Sequence, residues 1–407
     1  MERNAAFAYV IERIIFEMSK KQNKAQLTYA LLHFFYWMGN SIICGFSSAF
    51  LLPNGFSSME IGLIMGIGNG GAVLVQSVLA DYADRTKKVT PARILSAICG
   101  LFLIFCGFLL VLKGRSIWMA VFYVLAFIVH TIMMPLLNDL NYRLAEAGNP
   151  MSFGAARAFG SLGYSLMSAA AGFLVERFAV SILPILTIGS LLIMLILLHI
   201  IGKMLRPGSG QEKEQNRDSG NLLEFARENR NLMFVSIGAM CLMFCAGTSG
   251  TYLLQIVLNV GGTAKDMGLA LAVAAISEIP VMMFYDRLWQ RFSSGKLMKA
   301  ASVGYLIKQV ILFLAGSYPV VLFSQLLQCV SFALYLPSSV AYAHEHTKAK
   351  DAVKGQALMT AMSTVAGLLA SFLGGFVIDQ FGVKSLLGIC AAAAVAGIVL
   401  IFRFAED

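Results

Sequence analysis

Four ionisable residues stand inside otherwise apolar stretches of this chain: Asp139 in LLNDLNYR, Arg157 in FGAARAFGS, Glu278 in AISEIPVMMF and Lys308 in VGYLIKQVILF. An isolated charge in apolar surroundings costs several kcal/mol, so each should face a wet cavity and find a partner. Chain order suggests two pairs, Asp139 with Arg157 and Glu278 with Lys308. A carboxylate and a guanidinium make charge-assisted hydrogen bonds that either can exchange for solute hydroxyls. A carboxylate whose cation can move away is a candidate proton carrier, which makes Glu278 and Lys308 the expected ion-coupling residues.

Other polar residues recur at helical spacing along apolar runs. One stripe holds His33, Trp37, Asn40 or Ser41, and Cys44; another holds Arg157, Ser161, Tyr164 and Ser168; a third holds Cys241, Cys245, Thr248, Tyr252 and Gln255. Polar faces avoid lipid, so these stripes are expected to line a shared cavity. Trp37, Asn40, Tyr252 and Gln328 are the expected solute contacts beside Asp139 and Arg157. His130 reads as a packed histidine. His344 and His346 form a single pair without a third ligand, so no metal site is expected. The chain has no phosphate-binding loop, nucleophile elbow or HExxH motif, and neither an enzymatic role nor a cofactor is expected.

The elements that must position these residues follow from composition. Hydrophobic residues make up 58% of the 407 and charged residues 13%, against about 25% charged in a soluble chain. The apolar residues fall in twelve runs of about 20, the length that crosses a bilayer. Six runs lie in 27–203 and six in 232–407, joined by a polar linker over 204–231 and preceded by a cytoplasmic segment over 1–26. That segment is too polar for a signal peptide. It reads either as a short interfacial helix or as a stretch ahead of a true start at Met18.

The net charge of +9 reports topology. With the N-terminus inside, 24 of the 31 Lys and Arg residues fall on the cytoplasmic side and five outside, the positive-inside pattern. Both termini are therefore expected in the cytoplasm, and a nucleic-acid partner is excluded. The seven cysteines lie in apolar runs with no CxxC spacing and read as small buried hydrophobes.

The halves resemble each other. GFLVERFAV from Gly172 matches GFVIDQFGV from Gly375, and MEIGL from Met59 matches KDMGL from Lys265. Two six-helix halves in parallel register are the repeat plan of the major facilitator superfamily. The fold class expected is an all-α membrane protein of twelve transmembrane helices in two pseudo-symmetric six-helix bundles. The loop SVLADYADRTKK from Ser77 resembles that superfamily's cytoplasmic signature, with Asp81 and Arg85 kept and two glycines lost. The resemblance gives Asp81 and Arg85 the role of a conformational latch.

The stretch NDLNYRLAEAGNPMSFGAARAFGSLGY from Asn138 is similar to the lactose permease group of oligosaccharide–proton symporters. That group carries an acid, a loop, then Phe-Gly-x-x-Arg-x-x-Gly-x-x-Gly-aromatic. The resemblance implies that Asp139 and Arg157 bind sugar and that Tyr164 stacks on its ring. Glu278 and Lys308 resemble the acid and base that the group carries on its eighth and ninth helices. Where the group has a His and a Glu on its tenth helix, Gln328 and Ser331 stand here. The group's seventh-helix acids and their lysine partners are missing too, which leaves the coupling ion and lactose itself open. The resemblance implies a monomer in the cytoplasmic membrane, taking up a small polar solute, a sugar or glycoside, with a proton or another ion. An efflux carrier, or an importer of organic acids or nucleosides, is the alternative.

Overall fold

The computed structural model describes residues 24–85, 90–205, 222–348 and 351–406. The segment ahead of Lys24, including the Met18 alternative, and most of the 204–231 linker lie outside the described residues.

All regular structure among the described residues is helical, as apolar surroundings require of a chain that must satisfy every backbone group internally. The first crossing is α1 (Lys24–Asn40), a π-helical turn (Ser41–Gly45) and α2 (Ser47–Leu51). Then follow α3 (Ser58–Arg85), α4 (Pro91–Val111), α5 (Ile117–Glu146), α6 (Phe153–Phe178) and α7 (Ile182–Met204). After the linker come α8 (Leu222–Glu228), α9 (Arg230–Thr251), α10 (Leu253–Asn259), α11 (Ala264–Arg291) and α12 (Ser294–Leu314). The last are α13 (Tyr318–Leu326), α14 (Phe332–Glu345) and α15 (Ala352–Phe404), whose two limbs meet at Gly382 with φ 82°.

Nine of the described helices are long and apolar enough to cross a membrane. With the limbs of α15 taken separately, and the broken pairs α1/α2 and α13/α14 as one crossing each, the architecture is consistent with twelve. Local chemistry sets several starts. Ser116 Oγ accepts from the Met119 N–H at 3.1 Å ahead of α5, and Thr263 with Asp266 forms a capping box ahead of α11, each satisfying first-turn donors.

The repeat is deeper than its sequence matches. Phe46 precedes α2 and Tyr252 precedes α10, 206 positions apart, the same offset as the MEIGL and KDMGL runs. Pro135 inside α5 and Pro337 inside α14 lie 202 apart.

The chain divides into two compact units. Unit 1 holds residues up to 43, 71–168 and 181–213; in it α7 packs on α1 and α4, and α4 packs on α5. Unit 2 holds 44–70, 169–180 and 214–407; in it α15 packs on α9 and α12, and α11 packs on α13 and α14. Unit 2 thus includes the opening of α3 and the final turns of α6.

Candidate functional site

In unit 1 the polar cluster is built where α6 crosses α1. A Cβ at Gly163 would overlap the Phe34 carbonyl oxygen, and one at Gly160 would overlap the Trp37 indole. The two glycines therefore let α6 approach α1 to backbone contact, as small residues do in membrane bundles. Further along the same crossing, Ser41 Oγ and Ser168 Oγ hydrogen-bond at 2.8 Å. This close approach sets Arg157 on Trp37: the guanidinium carbon lies 3.9 Å from the ring centroid, well inside cation–π range. Arg157 Nη1 also donates to Ser161 Oγ, one turn on, at 3.0 Å. The Tyr164 ring stands edge-on to Trp37, centroids 6.3 Å apart.

Two buried nitrogens at this cluster, Trp37 Nε1 and His33 Nδ1, have no hydrogen-bond partner among the described residues. His33 Nε2 meets Tyr29 Oη at 2.9 Å. A buried N–H without an acceptor is uncommon in folded proteins, and the Trp37 donor is one that a ligand oxygen could satisfy. Asn40 faces elsewhere: its amide lies 3.1 Å from His130 Nε2, and His130 stacks on Tyr36 at 4.5 Å.

Asp139 is not the partner of Arg157. Its carboxylate accepts from Arg143 Nε at 2.6 Å, one turn along α5, with side-chain exposures of 40% and 32%. Acid and base at i and i+4 on one helix reach each other without tertiary help, and this local partner captures Asp139.

In unit 2 the charged constellation lies on a broken helix. Between α13 and α14 residues 327–331 run as turns. Opposite them on α12, Gly304 leaves room where a Cβ would come within 2.5 Å of the Val330 carbonyl oxygen. Gln328 sits on this unwound piece. Lys308 Nζ donates to Gln328 Oε1 at 2.5 Å, and Gln328 Nε2 donates to Glu278 Oε1 at 3.1 Å. Lys308 is 4% exposed. Because an ammonium can only donate, the amide oxygen must face Lys308 and its NH₂ must face Glu278. The expected acid–base pair is thus joined through a neutral amide, from α12 through the broken helix to α11.

The sequence profile of the MFS_1 like family matches residues 26–387, nearly the whole chain. The chain belongs to the MFS_1 like family. Members are transporters of the major facilitator superfamily, so this MFS_1 like protein is a multi-pass membrane transporter. It is 24% identical over 354 residues to the maltose permease of Geobacillus stearothermophilus, covering 86% of each chain. It is 22% identical over 357 residues to the "Probable 3-phenylpropionic acid transporter" of Escherichia coli (strain K12), covering 85% of this chain and 91% of that one. Its fold is similar to that of the nucleoside transporter NupG, with a TM-score of 0.76, 16% identity, and coverage of 93% of this chain and 98% of that one.

Within this MFS_1 like chain two further expectations meet the coordinates. Tyr252, expected on the cavity stripe, is fully buried at the α9/α10 break; its hydroxyl donates to the Ser371 carbonyl at 2.5 Å. Asp81 and Arg85 fall on the last turn and a half of α3, and their side chains lie outside the described residues. Sequence reasoning took Gln328 for a solute contact and missed its bridging position. The signal available was a polar side chain where two charged helices needed an intermediary. Sequence reasoning also passed over Asp379, although the repeat run GFVIDQFGV contains it.

Proposed function

We propose that this transporter takes up a small, hydroxyl-bearing solute, a sugar or glycoside, by alternating access driven by a proton gradient. The observation that carries the reading is the Lys308–Gln328–Glu278 chain on a broken helix. Unwound helix segments with ionisable neighbours are where secondary transporters hold solutes and coupling ions. An ionisable group at membrane depth is a functional site by default. Glu278 is the proton carrier in this reading and Lys308 its counter-charge. Gln328 transmits between them, since an amide that turns toward a solute hydroxyl releases both.

Arg157 on Trp37 supplies the second element. A guanidinium lying on an indole presents donors beside an aromatic face, and the unpartnered Trp37 N–H adds one more. Sugars match that combination, with hydroxyls for the donors and C–H faces for the ring. Tyr164 widens the same aromatic surface. Similarity to a maltose permease supports the solute class. We place the protein in the cytoplasmic membrane as a monomer with both termini inside, and take 27–203 and 232–407 as the moving six-helix halves. Asp81 and Arg85 are proposed to latch their cytoplasmic face.

A second reading, import of an organic acid or a nucleoside, has its own support: the permanent charge of Arg157 suits a carboxylate, and similar proteins bear those names. One experiment separates the two. Purified protein in liposomes is offered radiolabelled maltose, uridine and 3-phenylpropionic acid, with and without an acid-outside gradient. Maltose accumulates only under the gradient; Glu278→Gln abolishes accumulation but spares exchange; Arg157→Gln and Trp37→Ala each cut uptake at least tenfold with folding intact. Accumulation of uridine or the acid instead of maltose, or maltose uptake indifferent to both the gradient and Glu278→Gln, refutes the proposal.

A further inference from the structure

The repeated runs meet one another in unit 2. A Cβ at Gly375 would overlap the Ser58 carbonyl oxygen and lie 2.8 Å from Met59 Cα. A Cβ at Gly172, its counterpart 203 positions earlier, would lie 3.0 Å from the Ala264 oxygen and 3.1 Å from Lys265 Cα. Ser58 opens α3 and Ala264 opens α11, the helices of the second pair of matched runs. So the end of α6 abuts the start of α11, and the end of the first limb of α15 abuts the start of α3. The matched runs are the mating surfaces of two related seams.

The α15–α3 seam continues inward along the glycines of α3. A Cβ at Gly62 would overlap the Ser371 carbonyl, and one at Gly66 would lie 2.7 Å from the Phe372 ring. Tyr252 ties the α9/α10 break to this seam through the Ser371 carbonyl, its ring against Gly374. Gly62 and Gly375 bring the two helices to backbone contact, the close approach that small residues permit in membrane bundles.

One residue breaks the equivalence of the seams. A turn beyond Gly375, the Asp379 carboxylate accepts from the Ser58 N–H at 3.1 Å and the Met59 N–H at 2.7 Å. These are first-turn donors of α3 that no intrahelical carbonyl can reach. Ser57 and Glu60 already cap the neighbouring positions, so Asp379 completes the cap from another helix. It also sets a full negative charge at the positive end of the α3 dipole. Its repeat counterpart Glu176 makes no such bond among the described residues, and α11 is capped by its own Thr263 and Asp266.

We infer that Asp379 is the latch of a gate: it clasps the start of α3 to the first limb of α15 and holds this end of the protein shut. Asp379 and Met59 are exposed while Ser58 is buried, so water can replace the Met59 bond when the seam parts, and the clasp biases the equilibrium without freezing it. The inference rests on the alternating-access reading only in calling the seam a gate. Its test needs no solute.

The reporter is Asn69→Cys, on α3 two turns inward of Gly62, in full-length protein reconstituted into vesicles. A membrane-impermeant maleimide is applied to right-side-out and inside-out preparations, and labelling of the same protein without the reporter cysteine is subtracted. Asp379→Ala raises the labelling rate about fivefold, the change that loss of a typical helix cap brings, and from one face only. Asp379→Asn, which keeps one acceptor oxygen, gives a smaller rise from the same face; it also carries the comparison if the alanine variant accumulates poorly. Gly375→Ala, which wedges the seam, raises labelling from that face too. Rates within twofold of the parent in both Asp379 variants overturn the latch, whatever Gly375→Ala does. A rise from both faces overturns it as well, because that reports general loosening. A failed uptake assay leaves this result standing, and the reverse holds.

Discussion

Removing the Lys308 ammonium alone should harm the protein more than removing both charges of its chain. The perturbation is Lys308→Met, compared with Glu278→Gln and the double variant. Lys308 donates to the Gln328 oxygen at 2.5 Å, and the Gln328 amide donates to Glu278 at 3.1 Å. Those two bonds and the amide between them put the charges no more than roughly 8 Å apart, where Coulomb's law at an effective dielectric of about 20 gives roughly 2 kcal/mol. Lys308→Met withdraws that attraction and leaves the half-buried Glu278 carboxylate in an apolar span without the Lys308 cation, and a partly desolvated charge that loses its counter-charge is the costly half of a broken pair. The double variant has no charge left to compensate. The assay is thermal unfolding of the four purified proteins in one detergent, read as a double-mutant cycle. The double variant should lose about 2 kcal/mol less than the two single losses added together. Additive losses, or a Lys308→Met protein as stable as the parent, would refute the view that the amide links two charges.

The remaining predictions concern unit 1. Asp139→Asn removes only a half-exposed pair with Arg143 on its own helix, worth about 0.3–0.5 kcal/mol, so uptake should stay within twofold; a complete loss would return Asp139 to the binding site. Gly163→Ala drives a methyl into the Phe34 carbonyl, a backbone contact that cannot rotate away, and should cost about 1–3 kcal/mol, seen as a lower melting temperature. Gly160→Ala meets the Trp37 side chain instead; it should lower solute affinity more than stability, which ligand titration beside melting can separate.

Sequence alone determined the class of this protein. Runs of about 20 apolar residues admit one solvent, and the proposal that both termini lie inside rests on the basic residues between them. Matched runs around Gly172 and Gly375 announced the internal repeat, and the motif around Arg157 announced a polar cluster on α6. These are periodic or compositional signals that a linear chain displays in full.

Partners are another matter, because a partner is a distance between helices. Asp139 and Arg157 looked paired until α5 supplied Arg143 one turn away, a local competitor that spacing could have flagged. Glu278 and Lys308 looked paired until the chain unwound at 327–331 and put Gln328 between them. Tyr252 lay on a polar stripe, but the break at its position turned it into a seam. Asp379 found its donors 321 positions away, at the start of α3. The backbone amides that receive it are the same at every helix start, so no residue type marks them. Only the packing of one helix end on another decides which carboxylate reaches them.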